Sequence, residues 1–391
     1  MNTADTPFGQ YQFEIYAPGS GSKRTEVPFS FTELEQRARE KLNEGAFGYV
    51  AGGAGAEETM RANREAFGRW RIVPRMLRNV ASRDLRTTVL GTAMPAPVML
   101  APVGVLSIIH PEAEVAVARA AAGLGVPMIS STAASRTLEE VAQAMRSSPR
   151  WFQLYWPKSR ELAASFLRRA ERAGYRAVVV TLDTSLLGWR PRDLRGAYLP
   201  FLRGEGLANY LSDPVFCAGL AKPPPEDMPA AVAYWTALFS DPTVTWDDLR
   251  FLREHTRLPL VLKGILHPDD ARRAADLGMD GVIVSNHGGR QVDGAVAALD
   301  ALPDVVSAAG KMAVLFDSGI RTGADVVKAL ALGARAVLLG RPYVYGLAVA
   351  GEGGVRAVLR GLLAELDLTL ALSGVSRLDQ LSAELLQHRR D

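Results

Sequence analysis

The stretch GVIVSNHGGR occupies positions 281–290 and joins a short apolar run to a polar turn. The apolar part, 281–284, is typical of a strand buried on both faces. The polar part carries His287, which can accept a proton near neutral pH, and Arg290, which can bind a carboxylate through two hydrogen bonds. Polar turns at strand ends are where α/β proteins place their chemistry. By itself the stretch also fits a structural histidine beside a solvated arginine, so the fold must be inferred from the rest of the chain.

Strand and helix patterns alternate on both sides of this stretch. Predicted strands lie at 97–105, 127–130, 151–156, 177–183, 258–263, 281–285, 313–317 and 336–339, and each is followed by a predicted helix. Eight such units predict a closed parallel (β/α)8 barrel. An open doubly wound sheet is the competing architecture, but it needs a glycine-rich turn after its first strand. The first strand ends instead in Ala101-Pro102-Val103-Gly104, which lacks that pattern.

Segments outside the repeat complete the predicted organisation. We expect an extended arm over 1–30, a helical cap over 31–90, the barrel over 91–372 and a tail over 373–391. The connection after the fourth strand, 184–245, is long and irregular in pattern for a barrel loop. We call it the lid segment, because a connection of this length can cover a site at the carboxyl end of the barrel.

Composition excludes several classes of protein. The 391 residues carry a net charge of +3 with acidic and basic residues interspersed, which gives no sign of nucleic-acid binding. The single cysteine, Cys217, excludes internal disulfides and a cysteine-rich metal site, and no metal is expected. The start of the chain does not resemble a signal peptide, and no apolar run has the length of a membrane span. A cytoplasmic protein without a membrane partner is expected.

Polar residues recur at the ends of the predicted strands with one parity. Side chains two residues apart share a face of a strand, so these groups are predicted to converge at one end of the barrel. The carboxyl end of the strands is where barrel enzymes place their active sites. The residues are Ser130, Gln153, Tyr155, Thr181, Asp183, Lys263, Ser285, His287 and Asp317.

The last two units indicate a phosphate-bearing cofactor. Asp317-Ser318-Gly319-Ile320-Arg321 follows the seventh strand, and Gly340-Arg341 follows the eighth. Small residues allow close backbone approach, and arginines and helix-start amides attract an anion. A flavin mononucleotide (FMN) explains most of these residues, with Lys263 stabilising the negative charge of the reduced ring and 101–104 lying against its face. Pyridoxal phosphate bound to Lys263 as a Schiff base remains the alternative.

Together these motifs resemble the FMN-dependent 2-hydroxy acid oxidases and dehydrogenases. The resemblance covers about 31–372, and within the family it is strongest to the lactate 2-monooxygenase type. It rests on the segments around Tyr49, 153–155, 181–184, 263–264, 285–291, 317–321 and 340–341, and for the subgroup on 188–193, 200–204 and 212–216.

The resemblance implies a role for each candidate residue. His287 is the expected base, and Asp183 is expected to stabilise its imidazolium form. Arg290 and Arg190 should bind the substrate carboxylate with help from Tyr49, while Tyr155 faces the substrate hydroxyl. The flavin ring and ribityl chain should contact Ser130, Gln153, Thr181, Lys263 and Ser285. The ribityl and phosphate end should contact Asp317, Ser318, Gly319, Arg321, Gly340 and Arg341.

The implied activity is oxidation of a small L-2-hydroxy acid, with L-lactate favoured and O2 as the electron acceptor. In a monooxygenase, pyruvate is retained until hydrogen peroxide decarboxylates it, and the products are acetate, carbon dioxide and water. The small residue Gly104 matches that type. The alternatives are an oxidase that releases the keto acid and hydrogen peroxide, a Schiff-base enzyme using Lys263, and a flavin-binding scaffold without turnover. The family also implies a homotetramer or homo-octamer.

Overall fold

A computed structural model describes residues 7–17 and 26–389 of the chain. The α-helices in chain order are α1 Tyr11–Tyr16, α2 Phe31–Lys41, α3 Glu44–Ala51, α4 Glu58–Arg69, α5 Ala113–Ala122, α6 Leu138–Met145, α7 Arg160–Arg172, α8 Pro191–Arg195, α9 Ala208–Leu211, α10 Pro214–Ala218, α11 Met228–Leu238, α12 Leu249–His255, α13 Pro268–Asp276, α14 Ala298–Ala308, α15 Gly323–Ala331 and α16 Arg341–Leu372. The strands are β1 Trp70–Ile72, β2 Thr87–Val89, β3 Thr92–Met94, β4 Val98–Leu100, β5 Met128–Ser131, β6 Arg150–Tyr155, β7 Val178–Thr181, β8 Leu260–Ile265, β9 Gly281–Val284, β10 Ala313–Phe316, β11 Ala336–Leu339 and β12 Leu386–His388.

Strands β4 to β11 form a closed parallel barrel in the order β10-β11-β4-β5-β6-β7-β8-β9. The predicted (β/α)8 barrel is therefore confirmed. Side chains of one parity fill the barrel interior, and those of the other parity pack under the surrounding helices. The interior set is fully or almost fully buried and includes Met99, Ile129, Trp151, Val179, Val261, Ile283, Leu315 and Leu338.

A glycine follows the end of five of the barrel helices. Gly125, Gly174, Gly278, Gly310 and Gly333 all have positive φ values. This left-handed conformation turns the chain from a helix into the next strand and is unstrained only for glycine.

The segments around the barrel differ from the sequence expectations in two ways. The predicted cap contains the strands β1 and β2 as well as helices, and β2 forms a hairpin with β3, which lies just beyond the predicted boundary at 90. Thr92 of β3 accepts a hydrogen bond from the Trp151 indole at 2.8 Å. Strand β1 pairs with β12, so the predicted tail is joined to the predicted cap. Of the predicted arm, the described residues include the helix α1, whereas 1–6 and 18–25 lie outside the described residues. The domain boundaries themselves stay predictions.

The lid segment is helical rather than irregular, because short capped helices replace the expected loop. Asp213 caps α10 through the backbone N–H groups of Val215 and Phe216. Its other carboxylate oxygen lies 3.1 Å from Arg169 of α7, and both side chains are buried. A buried ion pair of this kind holds the middle of the lid segment against the barrel.

Within the described residues, none of the helices combines the length and the apolar composition needed to span a membrane.

Candidate active site

The imidazole of His287 and the carboxylate of Asp183 form the centre of a cavity at the carboxyl end of the barrel. Nδ1 of His287 lies 2.7 Å from Oδ1 of Asp183. Thr184 Oγ1 lies 3.3 Å from the same nitrogen and donates to the Asp183 carboxylate. Burial lowers the pKa of His287 despite the opposing charge of Asp183. His287 is therefore neutral near pH 7, with Nδ1–H donated to Asp183 and Nε2 left as a proton acceptor.

Asp183 remains ionised in this environment. Burial alone would raise its pKa, but the charges of His287 and Lys263 outweigh that effect, and the pKa lies well below its ordinary value. Its Oδ2 atom is buried without a hydrogen-bond donor among the described residues. This carboxylate can therefore orient the imidazole and stabilise its protonated form.

Lys263 lies between two carboxylates at the end of β8. Its Nζ atom donates to Ser285 Oγ at 2.9 Å and lies 3.5 Å from Asp317 and 3.8 Å from Asp183. Burial lowers its pKa, but Asp317 and Asp183 raise it further, so the net shift is upward. Lys263 is thus a fixed cation within the barrel and a poor amine nucleophile.

Two arginines meet on the side of the cavity formed by α3 and the lid segment. Arg290 donates to the Tyr49 and Gly52 carbonyls at 2.6 and 2.9 Å, and its guanidinium lies 5.1 Å from the centre of the Tyr49 ring. Arg190 donates to the Arg290 carbonyl and to Gln291 Oε1. Burial and the charge of Arg290 lower the pKa of Arg190 to about 10. Neither arginine forms an ion pair with a carboxylate in the described chain, so the pair can bind an anion.

Two further, largely buried arginines line the cavity beside the turns after β10 and β11, and Arg341 shares the Gly52 carbonyl with Arg290. Burial and mutual repulsion lower the pKa of Arg321 to about 9. Arg341 donates to the carbonyls of Val50, Gly52 and Gly288, and burial lowers its pKa to about 10. The Nε atom of Arg321 is buried with no acceptor among the described residues. These two arginines can therefore bind a second anion, which would satisfy the Arg321 Nε atom.

Small residues in the turns after the strands form further walls of the cavity. Ala101, Pro102, Val103 and Gly104 follow β4 and line one wall, and Ser318, Gly319 and Gly340 line another. A Cβ atom on Gly340 would have nothing closer than the Ala101 Cβ at 3.9 Å, so this wall is open. A Cβ atom on Gly104 would overlap the Ala133 carbonyl oxygen, so packing alone also favours glycine at this position.

Gln153 and Thr181 lie deeper, in the barrel interior. Gln153 donates to Thr181 Oγ1 at 3.0 Å and accepts from Ser131 Oγ at 3.0 Å. Ser130 was expected among these residues, but its side chain shares the outward parity of Phe152. The expectation that Ser130 shares the inward parity of the other residues was wrong, whereas its expected contact with a flavin stays a prediction. Ser131 takes the inward position instead.

Aromatic residues close the cavity, and only two of them, Tyr49 and Tyr155, were expected from the sequence. The Tyr155 ring contacts Phe239, and Phe201 contacts both Tyr49 and Phe239. Phe201 and Phe239 belong to the lid segment and line the cavity together with Leu187, Ala133 and Thr184. No sequence signal identified these residues, because their positions depend on how the lid segment folds over the barrel. The described residues contain no group of three or more His, Cys, Asp or Glu side chains placed to hold a metal ion.

Comparison with known proteins relates this site to a family. The sequence profile described as FMN-dependent dehydrogenase matches residues 38–388. The chain is 47% identical over 373 residues to the FMN-dependent alpha-hydroxy acid dehydrogenase qulF of Penicillium citrinum, covering 94% of this chain and 93% of the relative. It is 45% identical to the L-lactate oxidase of Lysinibacillus sphaericus, covering 90% and 91%. The solved structure of mandelate oxidase superposes with a TM-score of 0.82 at 40% identity, covering 93% of this chain and 99% of that one.

Proposed function

This chain belongs to the FMN-dependent dehydrogenase family, and from that membership we propose that it oxidises a small L-2-hydroxy acid, with L-lactate favoured. One observation carries the proposal. A neutral imidazole held 2.7 Å from a buried carboxylate shares a cavity with two arginines that form no ion pair with any described carboxylate. A 2-hydroxy acid needs a base near its hydroxyl-bearing carbon and cations at its carboxylate.

The residues of the cavity fit FMN. Arg321, whose buried Nε atom has no acceptor among the described residues, would hold the phosphate with Arg341, beside the small residues Gly319 and Gly340. Residues 101–104 would lie against the ring, and Gln153, Thr181, Lys263 and Ser285 would contact its polar edge. When bound, FMN supplies an acceptor for the substrate α-hydrogen at N5 and passes the electrons to O2.

His287 is proposed to take the substrate proton on Nε2. Its Nδ1–H donates to Asp183, which fixes the ring and stabilises the imidazolium as it forms. Because burial lowers the pKa of the free imidazole, the base is already deprotonated at neutral pH.

Arg190 and Arg290 are proposed to bind the substrate carboxylate. Both line the cavity, and the Tyr49 hydroxyl can add a hydrogen bond. Burial raises the pKa of Tyr49, so its hydroxyl remains a donor. Tyr155, which lines the cavity and whose pKa is also raised by burial, is proposed to contact the substrate hydroxyl.

The fate of the keto acid separates two candidate activities. Leu187, Arg190, Phe201 and Phe239 of the lid segment all line the cavity, which supports retention of the product. Retained pyruvate would react with hydrogen peroxide to give acetate, carbon dioxide and water, and we favour this monooxygenase outcome. The likeness to an L-lactate oxidase supports the alternative, in which pyruvate and hydrogen peroxide leave separately.

Aerobic turnover of L-lactate with and without catalase tests both proposals. Acetate that is unaffected by catalase supports retention, because catalase removes only free peroxide. Pyruvate with stoichiometric peroxide supports the oxidase, and D-lactate is the control for stereochemistry. Failure of L-lactate, glycolate and longer L-2-hydroxy acids to bleach the flavin anaerobically would overturn the proposed oxidation itself.

Three further expectations concern a Schiff base on Lys263, the oligomeric state and the location of the protein. A Schiff base on Lys263 is disfavoured by its two carboxylate neighbours, and borohydride with substrate should leave Lys263 unmodified. A homotetramer or homo-octamer is proposed from the family resemblance, and light scattering on the purified protein measures it. A cytoplasmic location remains the expectation.

A further inference from the structure

We propose that Ser318 is a positioning residue that holds the turn carrying His287 in its active conformation. We call residues 285–290 the His287 turn. The Ser318 hydroxyl is placed against two backbone N–H groups of this turn, one on each side of His287. The inference rests on the proposed role of His287 and adds a residue whose side chain acts through it.

The His287 turn has an unusual backbone that needs external support. Its residues His287, Gly288 and Gly289 have φ values of 57, 65 and 75°. Three left-handed residues in succession are unfavourable, and the first of them carries a side chain. Such a backbone conformation persists only where several contacts with the surrounding structure stabilise it.

Two serine hydroxyls provide that support. Ser318 Oγ accepts from Asn286 N at 3.2 Å and from Gly288 N at 3.0 Å. Ser285 Oγ accepts from His287 N at 3.0 Å. The N–H groups of three successive residues, 286–288, therefore donate to two serine side chains. One of these serines, Ser318, lies in the turn that follows the neighbouring strand β10.

The conformation of Ser318 indicates that its hydroxyl is required. Its φ value is 79°, a conformation that glycine adopts without strain and that is unfavourable for other residues. The hydroxyl is buried and donates to Asp317 Oδ1 at 2.8 Å, which leaves its lone pairs facing the His287 turn. The three hydrogen bonds of its side chain explain why a serine occupies this strained backbone position.

Both hydroxyls are connected to the partner of His287. Asp317 lies 3.5 Å from Lys263, and Lys263 donates to Ser285. Lys263 also lies 3.8 Å from Asp183, which holds the imidazole. The backbone of His287 and the tip of its side chain are thus oriented by one network, and Ser318 is the member that reaches both sides of the residue.

The pair Ser318→Gly and Ser318→Ala separates the hydroxyl from the backbone strain. Both variants lose the two acceptor contacts, but only glycine is unstrained at this φ value. We expect the anaerobic flavin reduction rate constant to fall by ~10- to ~100-fold in both, because the base is displaced. The substrate dissociation constant should change little, because Arg290, although part of the turn, is held by the Tyr49 and Gly52 carbonyls. Thermal stability should fall further in the alanine variant than in the glycine variant, because glycine relieves the strain at this φ value. Ser318→Asn, which tolerates the left-handed region and offers an amide oxygen, should recover part of the rate.

Hydrogen exchange on the flavin-free protein gives a readout independent of activity. The peptide that contains the His287 turn should exchange faster in both variants than in the unmodified protein, since the amides of Asn286 and Gly288 lose their acceptor. Unchanged exchange, or a slow reduction confined to the alanine variant, would overturn the proposal. If the unmodified protein is not reduced by any 2-hydroxy acid, the proposed function fails, and the exchange experiment still decides the role of Ser318.

Discussion

His287 Nδ1 and Asp183 Oδ1 lie 2.7 Å apart although they follow strands that do not pair with each other. Asp183 follows β7 and His287 follows β9, and β8 lies between them with Lys263 at its end. Lys263 contacts the same carboxylate at 3.8 Å. The proposed base, its carboxylate partner and a fixed cation are therefore brought together by three adjacent strands of a closed barrel.

Replacing His287 should abolish substrate oxidation while leaving FMN bound. The change His287→Gln removes the proton acceptor, and loss of a general base lowers rates by ~10²- to ~10⁴-fold. Anaerobic stopped-flow absorbance measures flavin reduction, and the visible spectrum measures flavin content. His255→Gln, at the amino end of the barrel strands, is the matched control and should react at the unmodified rate. Reduction of the His287→Gln protein at that rate would refute the assigned base.

The pH dependence of reduction should report a histidine with a lowered pKa. Burial lowers the pKa of His287, so the second-order rate constant for reduction should rise with pH through an inflection below the ordinary histidine pKa of about 6.5. Asp183 raises the pKa of His287, so Asp183→Asn should move the inflection to lower pH. The plateau should also fall by roughly 100-fold or more, because the imidazolium loses its partner.

The exposed Asp379 offers a matched control for that substitution, and Asp379→Asn should leave the profile unchanged. An inflection that moves to higher pH in Asp183→Asn would contradict the proposed pairing with His287.

Replacing Lys263 should destabilise the holoprotein at neutral pH. Lys263→Met leaves Asp183 and Asp317 without their shared cation, and breaking a buried pair costs about 3–5 kcal/mol. The pKa of Lys263 is raised in the folded protein, so its stabilisation is present below the unfolded pKa of about 10.4 and is lost as pH rises above it. Urea denaturation at pH 7.5 and at pH 11 should show a difference from the unmodified protein that shrinks at the higher pH. The exposed Lys311→Met is the control, and equal midpoints for both variants would contradict the expected role.

The flavin-free protein should be stabilised by inorganic phosphate. Arg321 and Arg341 are buried cations with lowered pKa values and no carboxylate in ion-pair contact among the described residues. An anion that binds only the folded state raises its stability. The melting temperature should therefore rise with phosphate more than with sodium chloride at equal ionic strength.

Arg321→Met should remove most of this phosphate effect and raise the melting temperature without phosphate, because one unpaired buried charge is gone. The exposed Arg257→Met is the control. An equal response to phosphate in the Arg321→Met protein would show that the anion binds elsewhere.

The alternation of apolar strands and helices determined the barrel and which end of it carries the chemistry. Strand parity then identified Gln153, Thr181, Lys263 and Asp317 as inward-facing, since period two holds for every strand. The same rule failed at Ser130, because a short strand with serines at two successive positions does not reveal its own register. Only pairing with β6 shows that Ser131 faces inward.

Local sequence therefore determined what depends on neighbours along the chain: the repeat, the helix-ending glycines and the residue types at strand ends. Tertiary structure decided what depends on groups distant in sequence. The pairing of His287 with Asp183 requires closure of the barrel, and the aromatic wall of Phe201 and Phe239 requires the helices of the lid segment to fold over it. The hydrogen bonds between Ser318 and the His287 turn require the ends of the adjacent strands β9 and β10 to meet. Hydrogen bonds and packing join groups that are close in space, whatever their separation along the chain.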